Sequence, residues 1–398
     1  MLKQARLSKH ISRRIVNGHP YVYQNEIDDV KGTIEKGEII DVFTYSGQFV
    51  GKGYYNADSK IIIRLITRLN EKIDALFVKK KLKAAMNYRN RLLSNEKSCR
   101  VFNGLSDGIS GLTCDRYDEL YCVSSSTAGG DKLLDWFIDA IVEMGASKVM
   151  VRNTAPSRKK EGIPGLIKSV KGDIGHVHKF NLNGIEYSLN PFSKEDPFFY
   201  LEQRQNAVLF STIVRKVFQE RSIRAFDFFS GYGQFGLNLL KSGLEAVEFI
   251  DSEALYGPLI KESALQAQLE GFSFHACNAF DYLHRMDIEN DKADLIILDP
   301  PPFTDSRKKK GKALNAYKEI NLRALKILKK GGLLATSCPS QNVSREDLEM
   351  MFYAIASDIK HEINILYRGS QPLDFPFKVN IFETDFLKFY VLMKGESL

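Results

Sequence analysis

Hydrophobic and polar positions follow two different periods in the N-terminal part of the chain. Across residues 38–67, β-branched and aromatic runs are broken by polar turns at 46–47 and 56–58, which predicts a small antiparallel β domain. Across residues 71–93, apolar positions recur at helical spacing without glycine or proline, which predicts a helix. The first 70 residues are therefore expected to form one β-rich domain.

The pattern changes twice more toward the C-terminus. Between residues 102 and 189, strand-like runs surround one helical segment, LLDWFIDAIVEM, which predicts a compact α+β domain over 71–190. From about Arg215, short apolar runs (AFDFF, AVEFI, ADLIIL, GLLATS) alternate with helical segments. Such alternation is typical of a parallel sheet covered by helices, so residues 191–398 are expected to form an α/β domain.

Length and composition agree with this division. A chain of 398 residues exceeds the size of a single hydrophobic core and favours two or three domains. No apolar run approaches the roughly 20 residues that cross a bilayer, and the five cysteines are odd in number and lack metal-ligand spacing. We expect no membrane span, no metal site and a cytoplasmic location. A basic N-terminus whose first acid is Glu26 keeps a transit peptide as the less favoured alternative.

Charge adds four basic clusters to this picture. The net charge is +7 and 49 acidic residues are present, so an anionic partner has to be met by local patches. Each cluster on its own is more often a solvated surface than a binding site. The clusters are the N-terminus up to Arg14, Lys79–Lys83, Arg158–Lys160 and Arg307–Lys312.

The segment AFDFFSGYGQFG, from Ala225 to Gly236, places a glycine-rich turn directly after an apolar run. The G-x-G-x-x-G spacing lets the backbone approach a cofactor at a helix N-terminus. Asp251 ends the next apolar run, where a carboxylate can hydrogen-bond ribose hydroxyls. These features predict an adenosine-containing cofactor, either a dinucleotide or S-adenosylmethionine; a glycine turn needed only for packing is the alternative.

A third apolar run, residues 293–298, ends in Asp299-Pro300-Pro301-Pro302-Phe303. Ligands of an open parallel sheet bind beyond the carboxyl ends of its strands. A stiff loop with a carboxylate and an aromatic ring suits an enzyme that holds a planar base, with Asp299 at the polar edge and the ring on its face. Dehydrogenases have no need of this loop, so it favours methyl transfer to a base.

These motifs together resemble the class I methyltransferases that modify nucleic-acid bases. The resemblance implies a Rossmann-like sheet, S-adenosyl-L-methionine as the cofactor and Asp299 in the fourth motif of the family. Asn278, in ACNAFDYL, stands where the family usually has Asp beside the adenine. The positions implied for the cofactor are Ser230, Gly231, Tyr232, Gly233, Asp251 and Asn278.

The resemblance covers the whole chain and narrows to the bacterial 23S ribosomal RNA cytosine-5 methyltransferases. GHPYVYQNEI and GQFVGKGYYNADSKIIIRLIT resemble their PUA domain, an RNA-binding module, and GLSDGISGLTCDRYDE resembles their central domain. FFYLEQRQN resembles the segment that closes over the cofactor with Gln203 and Arg204. The implied domains are PUA (1–70), central α+β (71–190) and methyltransferase (191–398), with 23S ribosomal RNA as the partner.

Cys338 ends the run GLLATSCPS, one βα step after Asp299. Neighbouring strands lie about 4.8 Å apart, so thiol and carboxylate are expected to share a pocket rim. A thiolate that adds to C6 of cytosine makes C5 nucleophilic enough to take a methyl group, and Asp299 would stabilise the developing charge at N3 and N4. The alternative for Cys338 is a packing residue, and the family has Ser where this chain has Pro339.

The loop after Asp299 is expected to meet the RNA. Pro300 and Phe303 would border the base, and Arg307, Lys308 and Lys309 would contact phosphates, which position a nucleic acid without reading its sequence.

Three other functions remain open. DPPPFTDSRKKKG also resembles the loop of enzymes that methylate guanine at N7 or N2, which need no thiolate. A non-catalytic RNA-binding assembly factor with the same fold is a second alternative. A nicotinamide-dependent oxidoreductase rests on the glycine turn alone. A homodimer is compatible with the chain, whose sequence does not fix the oligomeric state.

Overall fold

The computed structural model describes residues 3–93, 96–194, 198–219, 222–304 and 306–398. The chain divides into two compact units. Unit 1 contains residues 1–178, 189–198 and 373–384, and unit 2 contains 179–188, 199–372 and 385–398. The division at residues 70 and 190 between three domains stays a prediction, because the contacts group the chain into two units.

Unit 1 begins with a six-stranded sheet in the order β2-β6-β5-β4-β1-β3. Strands β4, β5 and β6 pair antiparallel, as the alternating pattern predicts, but β1 pairs parallel with β4. The N-terminal strands, which the pattern did not predict, thus make the sheet mixed. Its elements are β1 (Gln4–Leu7), α1 (Arg13–Val16), β2 (Tyr21–Tyr23), a 3-10 turn (Gln24–Glu26), β3 (Ile27–Lys31), β4 (Ile39–Phe43), β5 (Phe49–Tyr55) and β6 (Ile61–Thr67).

The second part of unit 1 is a five-stranded sheet in the order β11-β10-β9-β8-β7, with two long helices packed against each other. The first helix begins at Ala75 because the Asp74 side chain accepts a hydrogen bond from the Phe77 amide. The elements are α2 (Ala75–Leu92), β7 (Cys99–Asn103), α3 (Gly104–Asp107), β8 (Leu112–Tyr117), β9 (Leu120–Ser125), α4 (Ala128–Glu143), β10 (Lys148–Asn153), α5 (Ser157–Lys160) and β11 (Leu166–Lys171).

The two sheets of unit 1 share a core and a buried ion pair. Tyr54 and Ile66, from the first sheet, belong to the hydrophobic cluster of the second. The Arg64 guanidinium donates to Glu161 Oε1 at 2.9 Å, and both side chains are less than a tenth exposed. A buried charge without its partner is costly, so this pair requires the two sheets to pack in this way.

Unit 2 contains the hairpin β12 (His178–Leu182) and β13 (Ile185–Leu189), and a seven-stranded sheet in the order β16-β15-β14-β17-β18-β20-β19. Strands β14 to β18 are parallel, while β20 runs antiparallel between β18 and β19. The strands are β14 (Ala225–Phe228), β15 (Val247–Asp251), β16 (Phe272–Ala276), β17 (Ala293–Leu298), β18 (Leu328–Cys338), β19 (His361–Gly369) and β20 (Lys388–Ser397).

Helices connect the strands of this sheet, which confirms the predicted α/β class. The order reverses at β14, whose neighbours are β15 and β17, so a crevice opens between the carboxyl ends of β14 and β17. Fully buried residues of β14, β17 and α10, such as Phe228, Leu298 and Tyr317, form the core. The helices are α6 (Arg204–Val217), α7 (Gln234–Lys241), α8 (Tyr256–Gln266), α9 (Ala279–Glu289), α10 (Lys310–Ile327) and α11 (Arg345–Ile359), with 3-10 turns at Leu201–Gln203, Arg307–Lys309 and, in unit 1, Phe382–Thr384.

Across the described residues, every helix is too short or too polar to span a bilayer.

Candidate active site

Three of the predicted motifs lie together at one edge of the unit 2 sheet. The glycine turn follows β14, Asp251 ends β15 and Asp299 follows β17. Strands β14 and β17 are paired in parallel with Phe228 opposite Leu298, and the Asp299 amide donates to the Phe228 carbonyl at 3.3 Å. The structure thus brings Gly231, Asp251 and Asp299 to the edge at which open parallel sheets bind ligands.

The glycine turn is held by Asp251. Its Oδ2 accepts the Gly231 N–H at 2.9 Å, and its Oδ1 accepts the Glu253 N–H at 3.0 Å. Gly233 begins α7 with φ +74°, and Phe229, before the turn, has φ +59°. An aromatic residue adopts the left-handed region only under constraint, and such strain concentrates at functional sites.

The residues around the turn fit a cofactor. A Cβ at Gly231 would meet no atom within 4 Å, so the space in front of the turn is open. Ser230 Oγ and Gln234 Oε1 are buried without a hydrogen-bond partner among the described residues. Buried polar atoms are normally satisfied, so these two are available for the polar groups of a ligand.

The site is also acidic. Burial raises the pKa of Asp227 well above its usual range, and the nearby Asp299 and Asp251 carboxylates add to that rise. Asp227 Oδ2 accepts the Gly236 N–H at 2.9 Å, which fixes the start of α7. The Asp251 and Asp299 carboxylates at this edge favour a cationic ligand, and S-adenosylmethionine carries a sulfonium and an ammonium.

The other residues predicted for the cofactor pack against or hydrogen-bond other parts of unit 2. The Tyr232 ring packs against Phe199 and Tyr256, with centroids 5.1 and 5.3 Å apart. Asn278 caps α9, because its Oδ1 accepts the Phe280 amide at 2.8 Å. Arg204 is only 1% exposed, so a role for it in binding would be through the structure of α6.

Gln203 lies against Asp299. Its Nε2 donates to Asp299 Oδ1 at 2.6 Å, and its Oε1 accepts a hydrogen bond from the side-chain Nδ2 of Asn206 at 2.8 Å. The Ser337 hydroxyl donates to the same carboxylate oxygen. Burial raises the pKa of Asp299 to about 6, against the effect of the Ser337 and Gln203 donors. Gln203, predicted for the cofactor, thus orients the carboxylate predicted for the base.

Cys338 lies on the other face of β18. Successive side chains of a strand point to opposite faces, so the thiol faces away from Ser337. It is 1% exposed, and its polar neighbours are Tyr317, Ser340 and Lys388. Burial raises the pKa of the thiol, while the Tyr317 hydroxyl, the Lys388 ammonium and the Ser340 amide oppose that rise. The thiol and Asp299 occupy adjacent strand ends but have different sets of contacts.

The loop after Asp299 is partly packed and partly exposed. Pro300 is buried, and the Phe303 ring packs between Tyr317 and Phe280, with centroids at 4.6 and 5.7 Å. Lys308 and Lys309 are exposed. The Arg307 side chain lies outside the described part of the structure, so its predicted contact with RNA concerns an undescribed group.

Sequence reasoning missed Ser337, Tyr317 and Lys388. Ser337 could have been found from the period-2 alternation of β18, which turns it toward Asp299. Lys388 pairs with Cys338 across the antiparallel strands β18 and β20. No local signal gives that register, since 49 residues separate the two strands. Tyr317 lies on α10, and its position in the helical pattern predicts only a buried core residue.

Comparisons with known proteins agree with this geometry. Residues 5–68 match the model of a PUA-like domain, and residues 206–362 match that of the methyltransferase small domain. The chain is 27% identical over 384 residues to a Shewanella denitrificans protein called ribosomal RNA large subunit methyltransferase I. This alignment covers 94% of this chain and 95% of the relative. A Pseudoalteromonas atlantica protein of the same name is 28% identical over 96% of this chain and 98% of its own length.

Solved structures share the fold over its whole length. A protein of Streptococcus mutans assigned as a SAM-dependent methyltransferase superposes with a TM-score of 0.83 at 17% identity, over 99% of this chain and 100% of that one. SMU.776, assigned as a methyltransferase and crystallised with SAH, gives 0.82 at 16% identity over the same shares. The chain is an S-adenosylmethionine-dependent methyltransferase. The roles of single residues in this methyltransferase stay predictions, since the comparisons identify domains and fold.

Proposed function

We propose that this methyltransferase forms 5-methylcytosine in large-subunit ribosomal RNA. Curated relatives that cover at least nine-tenths of the chain are called ribosomal RNA large subunit methyltransferase I. The PUA-like domain at residues 5–68 supports an RNA substrate. The choice of cytosine rests on Cys338, the residue that the C5 reaction needs and other base methylations do not.

The environment of Cys338 is the observation that carries the proposal. A thiolate is the nucleophile, so a catalytic cysteine needs neighbours that stabilise the anion. The Lys388 Nζ is buried beside it and donates to the Ser340 carbonyl at 2.8 Å. The Tyr317 hydroxyl lies 2.9 Å from Ser340 Oγ and within reach of the thiol. A cation and two hydrogen-bond donors act against the rise in the pKa of the thiol that burial causes, and this supports Cys338 as the nucleophile.

The residues present can perform the reaction in a defined order. Cys338 is the last residue of β18 and is buried, so the base would have to reach the thiol from the strand-end edge at which Asp299 lies. Addition of the thiolate to C6 of cytosine raises the electron density at C5. Asp299, held by Gln203 and Ser337, would act as an acid and donate its proton to N3, which neutralises the negative charge that thiolate addition places on the ring.

S-adenosylmethionine, when bound, supplies the methyl group as an electrophile. Ser230, Gln234 and Asp251 would hold it, since they combine unsatisfied buried polar atoms with a carboxylate at the turn. A solvent water then accepts the C5 proton, the C5–H electron pair re-forms the C5=C6 bond, and the C6–Cys338 bond breaks to release the thiolate. The N3 proton returns to Asp299, which restores the aromatic ring and the free enzyme.

The Cys338→Ala variant tests this proposal. In cells that lack the gene, we expect the wild-type protein to restore one 5-methylcytosine in ribosomal RNA mapped by mass spectrometry, and the variant to leave that cytosine unmethylated. RNA with 5-fluorocytidine should form a covalent complex with the wild-type protein and not with Cys338→Ala, because fluorine at C5 blocks the elimination. Cys122→Ala, which removes another buried thiol in unit 1, is the matched control and should keep both activities.

A guanine methyltransferase is the second candidate, and one observation favours it. The hydroxyl of Ser337, rather than a thiol, contacts the Asp299 carboxylate. A guanine enzyme needs a carboxylate at the base but no nucleophile. Methylguanosine in the RNA, formed equally by wild-type protein and Cys338→Ala, would establish this function and overturn the cytosine proposal.

A further inference from the structure

Unit 1 has a cavity of about 550 Å³ that lies far along the chain from the methyltransferase motifs. The end of β6, one face of α2 and the turn at residues 378–381 form its walls. Every residue that lines it belongs to unit 1. The cavity therefore belongs to the unit that contains the PUA-like domain.

Four of the lining side chains are cationic: Arg68, Lys80, Lys81 and Lys378. None of the three lysines forms an ion pair with any residue that the structure describes. The Arg68 guanidinium donates to the Ile15 and His19 carbonyls at 2.8 and 2.9 Å, so its charge is not cancelled by those contacts.

Acidic groups near the cavity are fewer than the cations. Glu71 is the one acid among the lining residues that the structure describes, and it accepts a hydrogen bond from Thr67 Oγ1 at 2.5 Å. Asp107, behind Lys81, is paired with the buried Arg89 at 2.8 Å. The wall of the cavity thus keeps an excess of positive charge.

This excess is unfavourable without a ligand. Burial lowers the pKa of Lys81, the Lys378 and Lys80 charges lower it further, and Glu71 and Asp107 oppose the shift. The Lys81 Nζ is held close to the backbone of Gly108, where an added Cβ would lie 3.1 Å from it. An anion in the cavity would relieve the repulsion among these groups.

The turn beside Lys378 exposes aromatic rings. The Ile381 amide donates to the Lys378 carbonyl at 2.8 Å, which closes the turn and sets Phe377 and Phe382 on its two sides. Phe377 is 48% exposed and Phe382 is 76% exposed. Proteins that bind single-stranded nucleic acid combine a basic groove for the phosphates with aromatic rings on which bases stack.

We infer that this cavity binds a backbone phosphate of a single-stranded RNA segment, with an adjacent base stacked on Phe377 or Phe382. The inference rests on the proposed RNA substrate and assigns a second contact with it, outside the crevice of unit 2. Phosphate contacts position a nucleic acid without reading its sequence, so this site would hold the RNA while the methyltransferase domain acts on one base.

Binding of a labelled single-stranded RNA of about 12 nucleotides to the full chain tests the inference, by fluorescence anisotropy over a range of salt. The variant is K80A/K81A/K378A. Loss of the phosphate contact that the three lysines share should weaken binding about 10-fold at 0.1 M salt and reduce the magnitude of the salt slope by about 0.7. F377A/F382A should weaken binding with an unchanged slope, because stacking releases no counterions.

The matched control is K60A/K97A/K168A, which removes the same charge from exposed lysines of unit 1 that do not line the cavity. It should change the affinity less than threefold. Equal losses in the two triple variants would reduce the effect to net charge and overturn the inference, as would an unchanged affinity in both.

Two further readouts distinguish an RNA site from a site for a free anion and from the cofactor crevice. If millimolar inorganic phosphate binds through the three lysines but RNA affinity does not depend on them, the cavity is a site for a free anion and the RNA inference is wrong. SAH affinity should be unchanged in every variant. RNA binding that needs the lysines, in a protein that methylates guanine, would uphold this site while the cytosine proposal fails.

Discussion

The Asp251 carboxylate accepts two backbone amides, from Gly231 and Glu253. These bonds fix the glycine turn before a cofactor arrives, so the binding of the cofactor does not have to order it. A carboxylate oxygen has two lone pairs, and each oxygen of Asp251 keeps one for a ribose hydroxyl. Sequence spacing predicted the second role, and the structure adds the first.

Asp299 makes protein stability depend on pH. Its pKa is raised from 3.8 to about 6 because burial disfavours the carboxylate. In that interval the folded protein binds this proton and the unfolded chain does not. The stabilisation is fully present below pH 3.8 and is lost as the pH rises through about 6.

Asp299→Asn should remove this dependence. We expect the melting temperature of the wild-type protein, relative to the variant, to fall between about pH 4 and about 6 and then to level off. Ser337→Ala, which removes a donor to the carboxylate, should move the fall to higher pH. A wild-type curve parallel to that of Asp299→Asn across this range would show that the carboxyl keeps its ordinary pKa.

At the residue scale, prediction from sequence succeeded where a motif has a fixed spacing. Gly231 and Asp299 follow strands and Asp251 ends one, and all three lie at one edge of the sheet, as their spacing predicts. Prediction from sequence was less complete for contacts between residues on different elements. Gln203 was expected at the cofactor but donates to Asp299, because its position depends on a 3-10 turn that packs across the sheet.

Helix α7 lies unusually close to the sheet. A Cβ at Gly236 would lie 2.2 Å from the Phe249 ring, and that ring is fully buried. Glycine is therefore required at this position for packing, in addition to the role of the glycine turn in binding. In α10, by contrast, a Cβ at Gly311 would meet nothing within 4 Å.

The same substitution at these two glycines should have opposite effects. Gly236→Ala should lower the free energy of unfolding by about 1 to 3 kcal/mol, as expected for overpacking in a core. Gly311→Ala should raise it by about 0.4 to 1 kcal/mol, since alanine restricts the unfolded chain and favours the helix. Urea unfolding of the full chain measures both. A stabilised Gly236→Ala variant would mean that α7 can move away from the sheet at little cost.

An element could be predicted from the sequence where its own residues carry a clear hydrophobic pattern. The helix α2 and the strands β14, β15, β17 and β18 were visible as periodic runs. The strands β1 to β3 are too short to give a clear pattern in the sequence. The strand β20 pairs antiparallel between β18 and β19, and no local pattern in the sequence predicts that pairing. The pairing of Lys388 with Cys338 depends on it.

At the scale of the whole molecule, the residues proposed for the cofactor all belong to unit 2. SAH at about 100 times its Kd should stabilise the native protein by about 2.7 kcal/mol. Hydrogen exchange should localise the effect: amides of residues 229–236 and 251–253 should gain protection, and those of residues 5–68 should not. Protection centred on the PUA-like domain would place the ligand elsewhere and contradict the assigned site.

Unit 1 is completed by a late segment of the chain. Asp374 lies in the segment 373–384, and its carbonyl accepts the buried Arg89 guanidinium at 2.7 Å, while its carboxylate accepts the Arg100 amide at 2.7 Å. During synthesis the first 178 residues leave the ribosome long before these acceptors do. Arg89 must then remain solvated or provisionally paired until residues 373–384 have been translated. Unit 1, which contains the PUA-like domain, consequently reaches its final form only after most of unit 2 has been synthesised.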